Sequence, residues 1–491
     1  MGKSSRPLSV EKIGGTSIAH TETVLNNVLL RPNPDGGLYD RIFILSAYAG
    51  ITNRLLEHKQ TGEPGIFAHF ASAESEWSWG KAISEVGDEM RRINQEIFGD
   101  QSDRQAADHF IVERLEGARN CLLDLHRLCS YGHFRLEEHL MTVKEMLCAL
   151  GEAHSAYNTT LLLRQSGINA SFIDLTGWRD ESQPTLDDRI SKELENVDPS
   201  AELPIVTGYA HCREGLMQTY GRGYTEVTFS RVAALMQADQ AVIHKEFHLS
   251  SADPKVVGLD RVRTIGRTNY DVADQLSNMG MEAVHPRAAK SLRQAEIPLR
   301  VKNTFEPNDR GTEFSGDYTS EVPCTEIVTG LRSVFALEFF EQDMVGVKGY
   351  DASILETLKR HNARIVSKTS NANTITHYLA GSLKAVKRIV SGLEELHSSA
   401  RISTRKVAIV SVIGSDMDVP GLTATAVNAL TSAGVDILGL HQTMRNVDIQ
   451  FVVDEKAFDD AIKALHRALV EDLQPVEENS RQVKEASEAA A

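Results

Sequence analysis

The sequence predicts an α/β protein: a three-layer αβα sandwich followed by two small ferredoxin-like domains of βαββαβ type. Three observations carry that prediction. A continuous apolar run at residues 42–45 and short runs at 170–175 and 205–209 read as buried strands, with small or hydroxylated residues closing the first and third. Helical stretches alternate with strands up to about residue 303. Beyond residue 333 a β-α-β-β-α pattern occurs twice.

The chain of 491 residues is too long for one core, and about two to four domains are expected. Apolar residues at 41% and charged residues at 24% fit a soluble globular protein. The net charge of −16, from 52 basic and 68 acidic side chains, excludes a general affinity for nucleic acid or anionic membranes. Cys121, Cys129, Cys148, Cys212 and Cys324 are odd in number and lack C-x-x-C spacing, which argues against a disulfide framework or a zinc site and for a reducing compartment. With no signal-like apolar segment and no run of about 18 apolar residues, a cytoplasmic location is expected.

In chain order, a strand at residues 8–12 runs through Lys12 into Gly14-Gly15-Thr16-Ser17. Paired glycines let backbone N–H groups approach an oxyanion, and a lysine with two hydroxyls completes a phosphate cradle. A tight turn with Lys12 solvated fits the same residues equally well. The strand at 41–47 ends in SAYAGITN, which places Ser46 and Thr52 at a strand's carboxyl end, where open α/β sheets bind ligands. Residues 68–165 lack proline and read as several helices, one containing Glu152. Gly221-Arg222-Gly223 opens a helix with Thr225 or Glu226 in its first turn, a plausible anion site or an ordinary capped surface helix. A strand at 241–243 leads to HKEFHLSSADPKVVG, and a later helix is expected to break at His285-Pro286.

The domains expected are 1–310, a linker at 311–332, repeats at 333–400 and 401–475, and a polar tail at 476–491. In the repeats, strands fall near 333–340, 363–368, 374–380, 407–413, 435–440 and 447–453, with intervening helices.

In this order, K-x-GGTS, SAYAGITN, the GE helix start, GRG, SADPKVVG, HPRA and the paired repeats make the chain similar to aspartate kinases of the amino acid kinase superfamily, over about residues 8–470. The resemblance implies an amino-acid kinase domain with two ACT regulatory domains. It implies transfer of the γ-phosphoryl of MgATP to the side-chain carboxylate of L-aspartate, so ATP, Mg2+ and aspartate are the expected cofactors and substrate. Carried over by position, Lys12 contacts the transferring phosphate and Glu226 orients that lysine. Gly14, Gly15 and Gly223 cradle the phosphate. Ser46, Thr52, Glu152 and Arg222 hold aspartate, with Glu152 on the ammonium and Arg222 on the α-carboxylate. His244, Lys245, Asp253, Lys255 and Glu282 fall on the nucleotide side, and no protein metal ligand is implied. An amino-acid effector at the ACT repeats and a homodimer or higher oligomer are implied as well.

The departures concentrate at two places. The arginine loop reads GRGYTE where the family has G-R-G-G-S-D, so Tyr224 replaces a glycine and Glu226 an aspartate. Lys245 replaces an acid and Glu282 a lysine in the nucleotide segment, so two charges are exchanged, although Lys255 offers another phosphate contact. These variant segments resemble the aspartate kinases associated with ectoine synthesis. The alternatives are a catalytically weak amino-acid sensor on a kinase scaffold, and a relative acting on glutamate. Val366 aligns where lysine-sensitive relatives carry an effector-binding aspartate, so inhibition by lysine is not expected.

Overall fold

The computed structural model describes residues 7–33, 36–59, 61–72, 75–99, 101–281 and 283–472. Its contacts divide the chain into two units, one of Met1–His248 with Val284–Gly316 and the other of Leu249–Ala283 with Asp317–Ala491.

The first unit is built on strands β1 (Ser9–Ile13), β2 (Arg41–Leu45), β3 (Ala170–Ile173), β4 (Leu203–Thr207) and β5 (Gln240–Lys245). After β6 (Arg267–Asn269), which belongs to the second unit, the chain returns with β7 (Leu299–Asn303) and β8 (Thr312–Ser315). The order is β3-β4-β2-β1-β5-β7-β8, parallel except for the β7–β8 pair. Every residue of β2 and β4 is buried, which requires cover on both faces and explains their unbroken apolar sequences. The proline-free stretch forms helices Ile66–Ala71, Glu76–Ile97, Gln101–Ser130 and Leu140–Gln165. The last of these is buried along most of its length, including Glu145, Glu152, His154 and Asn158. Gly151 lets it approach the turn after β2, because a Cβ there would sit 2.7 Å from the Ala47 side chain.

In the second unit, β9 (Ile327–Phe340), β10 (Arg364–Ser370), β11 (Thr374–Ala380), β12 (Arg401–Ile413), β13 (Ile437–Gln442) and β14 (Asp448–Val453) form one antiparallel sheet, ordered β10-β11-β9-β12-β14-β13. The first strands of the two repeats, β9 and β12, pair at its centre from Arg401↔Phe340 to Ile413↔Ile327. Each repeat keeps its own apolar core, one around Leu337, Phe339 and Leu393, the other around Val410, Phe451 and Leu465.

Two local expectations change. The stretch 311–332 is not simply connecting: it holds β8, paired with β7, and the start of β9, paired with β12. His285-Pro286 starts a helix, Pro286–Gln294, rather than breaking one. Proline at the first helical position has no N–H to leave unpaired, and His285 Nδ1 accepts the Arg287 N–H at 3.3 Å.

Candidate active site

The carboxyl ends of β1, β2, β4 and β5 converge on one group of polar side chains. Lys12, one residue before the end of β1, is 8% exposed, and its Nζ lies 3.4 Å from Glu226 Oε1. Glu226 sits in the first turn of helix Tyr224–Leu235, where a carboxylate also favours the helix dipole. Its Oε2 accepts the backbone N–H of His285 at 2.5 Å. Burial opposes ionisation of Glu226, but Lys12, Lys245 and the His285 N–H together hold its carboxyl below the ordinary value.

The loop geometry depends on glycine at two points. A Cβ on Gly15 would lie 2.5 Å from the Ala47 carbonyl oxygen, so the turns after β1 and β2 can touch only without it. A Cβ on Gly223 would lie 2.2 Å from the His285 ring, the residue whose backbone holds Glu226. Gly15 opens helix Gly15–Ile18, where the first N–H groups have no intrahelical partner.

Glu152 is buried beside this group. Its Oε1 accepts the Tyr224 hydroxyl at 2.7 Å, while Oε2 is buried with no hydrogen-bond partner among the described residues. Burial pushes its carboxyl up to about 7, against the pull of the Tyr224 hydroxyl, backbone N–H groups including that of Ala47, and the Lys12 charge. Ser46, half-buried after β2, gives its carbonyl to the Ser155 hydroxyl at 2.9 Å, which ties the turn to the Glu152 helix. Thr52 lies half-buried in helix Ile51–Leu55. Arg222, on the short turn Gly221–Gly223, donates to Asn53 Oδ1 and to the Glu57 carbonyl. The arrangement offers a cation for phosphate, an unsatisfied carboxylate oxygen for an ammonium, and a guanidinium for a carboxylate.

Residues 7–303 match the amino acid kinase family, and residues 402–467 match the ACT domain. Over 463 residues, 94% of this chain and 97% of the other, the sequence is 52% identical to the aspartate kinase Ask_Ect of Stutzerimonas stutzeri strain A1501. The chain belongs to the amino acid kinase family, among the aspartate kinases. This amino acid kinase is also 24% identical over 509 residues to the aspartokinase of Saccharomyces cerevisiae, spanning 94% of this chain and 92% of that one. Clostridium acetobutylicum aspartate kinase shares the fold with a TM-score of 0.68 at 18% identity, over 94% of this chain and 100% of that one. E. coli aspartokinase III in complex with aspartate and ADP gives 0.69 at 19%, over 94% and 99%.

Within this amino acid kinase, the structure brings together Lys12, Gly14, Gly15, Ser46, Glu152, Gly223 and Glu226, with Lys245 close enough for its charge to act on Glu226. Gly14 differs from the sequence reading in one respect: its N–H donates to the His244 carbonyl at 3.2 Å and is not open to a phosphate. His244, expected with Lys245 beside the nucleotide, faces away from Lys12. Lys12 pairs in register with Ile243, so strand alternation turns His244 to the opposite face of the sheet, with Glu11. There its Nε2 lies 2.6 Å from Glu11, which Arg41 also grips at 2.6 Å. Burial opposes the charge on Glu11, yet Arg41 and His244 hold its carboxyl well below the usual range, and burial keeps the imidazole below its ordinary value. These three residues line a cavity of about 720 Å3 together with Arg31, Arg300 and Lys302.

Asp253 and Lys255 belong to the second unit, where Asp253 Oδ1 accepts the Lys255 N–H at 2.9 Å and caps helix Pro254–Val257. Ala252 and Val257 pack into the core of the second repeat, and Ser251 Oγ lies 2.8 Å from His466 Nε2. Glu282 lies outside the described residues. Sequence reasoning assigned no role to Asn53, Ser155 or His285. The HPRA turn marked the last of these, but hydrogen bonds between residues this far apart leave no local signal.

Proposed function

We propose that this chain transfers the γ-phosphoryl group of ATP to the side-chain carboxylate of L-aspartate, giving 4-phospho-L-aspartate and ADP. One observation carries the reading: the buried Lys12–Glu226 pair at the carboxyl ends of the strands stands beside Glu152, whose Oε2 has no hydrogen-bond partner among the described residues. Lys12 neutralises charge on the transferring phosphoryl group while Glu226 and the His285 N–H keep its ammonium in place. The Gly15 N–H and Gly223 leave room for phosphate oxygens. Glu152 Oε2 receives the α-ammonium, Arg222 clamps the α-carboxylate, and Ser46 and Thr52 bound the substrate. A side-chain carboxylate oxygen of aspartate, already deprotonated, attacks the γ-phosphorus as the bond to the β,γ-bridging oxygen breaks, so no protein base is needed. Catalysis comes from positioning and charge neutralisation. Mg2+ would be held by the phosphate oxygens and add its charge to that of Lys12.

Lys245, whose charge also acts on Glu226, is proposed to act on the nucleotide. The paired ACT repeats are proposed to hold an amino-acid effector and to assemble with a second copy. The variant GYTE and HKEFHLSSADP segments, and the relative named Ask_Ect, favour the ectoine-associated type. ADP release should require aspartate. ATP turnover that ignores aspartate, or none at all with bound amino acid, would favour the weak sensor instead.

A further inference from the structure

Two carboxylates on helix Leu140–Gln165, Glu145 and Glu152, are seven residues apart, two turns, and so share a face. Each is bonded by a tyrosine from outside the helix. Tyr209 donates to Glu145 Oε2 at 2.7 Å, and Tyr224 donates to Glu152 Oε1 at 2.7 Å. The two rings meet edge to face at 5.6 Å and 83°. Glu145 also accepts the N–H groups of Gln218 at 2.8 Å and Met217 at 3.1 Å. The result is a buried belt that ties the Glu152 helix to the segment carrying Arg222, two residues before Tyr224.

We propose that Tyr224 is a positioning residue for the amino-acid substrate: it occupies one oxygen of Glu152, leaves the other for the substrate's α-ammonium, and fixes the spacing between Glu152 and Arg222. This rests on the substrate roles proposed above for those two residues. A carboxylate with both oxygens free can rotate and meet an ammonium in several geometries. With Oε1 held by the Tyr224 hydroxyl, Oε2 points one way, and the belt ties that orientation to the turn that carries Arg222. The hydroxyl also favours the ionised form of Glu152, against the burial that raises it. The other titratable groups facing this pair are Lys12 from β1, Cys148 one turn back on the helix, and Tyr209.

Tyr224→Phe keeps the ring against Tyr209 and removes only the donor. The expected result is an aspartate KM raised about tenfold, the order for losing a hydrogen bond to a charged group. The KM for ATP stays within about twofold, and the acid limb of kcat/KM for aspartate moves to higher pH. Replacing Tyr224 with 3-fluorotyrosine, a stronger donor of the same shape, moves that limb to lower pH, which provides a second test if the phenylalanine variant is unstable. Glu152→Gln measured alongside separates the two levels of the argument. If it raises the aspartate KM while both Tyr224 variants leave KM and the acid limb unchanged, the positioning role is wrong. If Glu152→Gln itself leaves the aspartate KM unchanged, the underlying substrate role of Glu152 is wrong, and the positioning role fails with it.

Discussion

Replacing Lys12 with alanine removes an ammonium 3.4 Å from a buried carboxylate and leaves Glu226 with the His285 N–H and the charge of Lys245. Unit charges at that separation attract by about 5 kcal/mol at an effective dielectric of about 20. Desolvation cancels much of this in the intact pair, but removing one partner of a buried pair typically costs about 3–5 kcal/mol. The remaining contacts of Glu226 place the expected loss of stability at the lower end, about 3 kcal/mol. The effect on turnover has a separate origin. One preorganised group aimed at developing charge contributes about 2.7–4 kcal/mol, so kcat should fall by about two to three orders of magnitude. The double variant Lys12→Ala/Glu226→Gln distinguishes the two effects. Its neutral amide no longer leaves a charge uncompensated, so stability should recover by about 2 kcal/mol while turnover stays low. Denaturant unfolding and steady-state turnover at saturating ATP and aspartate measure both. Near-normal turnover in either variant, or equal stability of the single and double variants, would refute the reasoning and remove Lys12 from phosphoryl transfer.

Three further outcomes are expected. Glu152 holds its proton up to about 7 in the native chain against an ordinary value of 4.5. Between those values the folded state binds more protons than the unfolded state, so Glu152 reduces stability as pH rises, an effect complete above about 7 and roughly 3 kcal/mol in size. The Tm of Glu152→Gln relative to the parent should therefore increase between about pH 5 and about pH 8; a difference that shrinks over that range contradicts the burial account. Lys245→Ala should raise the KM for ATP and leave that for aspartate nearly unchanged, and an unaltered ATP KM would remove Lys245 from the nucleotide side. L-Lysine should not inhibit, because Val366 is a buried apolar residue whose carbonyl accepts the Asn278 amide at 3.0 Å and offers an ammonium no carboxylate; strong inhibition in the same assay would overturn that.

The features legible in the sequence are those with a local period. A continuous apolar run marked β2, a short run closed by Thr207-Gly208 marked β4, alternation marked β9, and the internal repeat marked both halves of the six-stranded sheet. Lys12, Glu152, Arg222 and Glu226 could be named because each lies in a short motif. What the motifs could not reveal depends on register and on partners distant in the chain. His244 is turned from the Lys12 face by one position of strand alternation, which the string HKEF does not disclose. The Tyr224–Glu152 bond joins residues 72 positions apart. The segment Leu249–Ala283 groups with the C-terminal repeats although strands of the other unit flank it, because Ala252 and Val257 find their apolar partners there.

The most direct test of the central claim is to trap the product. With ATP and hydroxylamine present, the acyl phosphate is captured as a hydroxamate whose identity reports which carboxylate was phosphorylated. L-Aspartate should give its β-hydroxamate in step with ADP release, and L-glutamate should give little. Equal trapping with glutamate, or ADP release without any hydroxamate, would contradict the account.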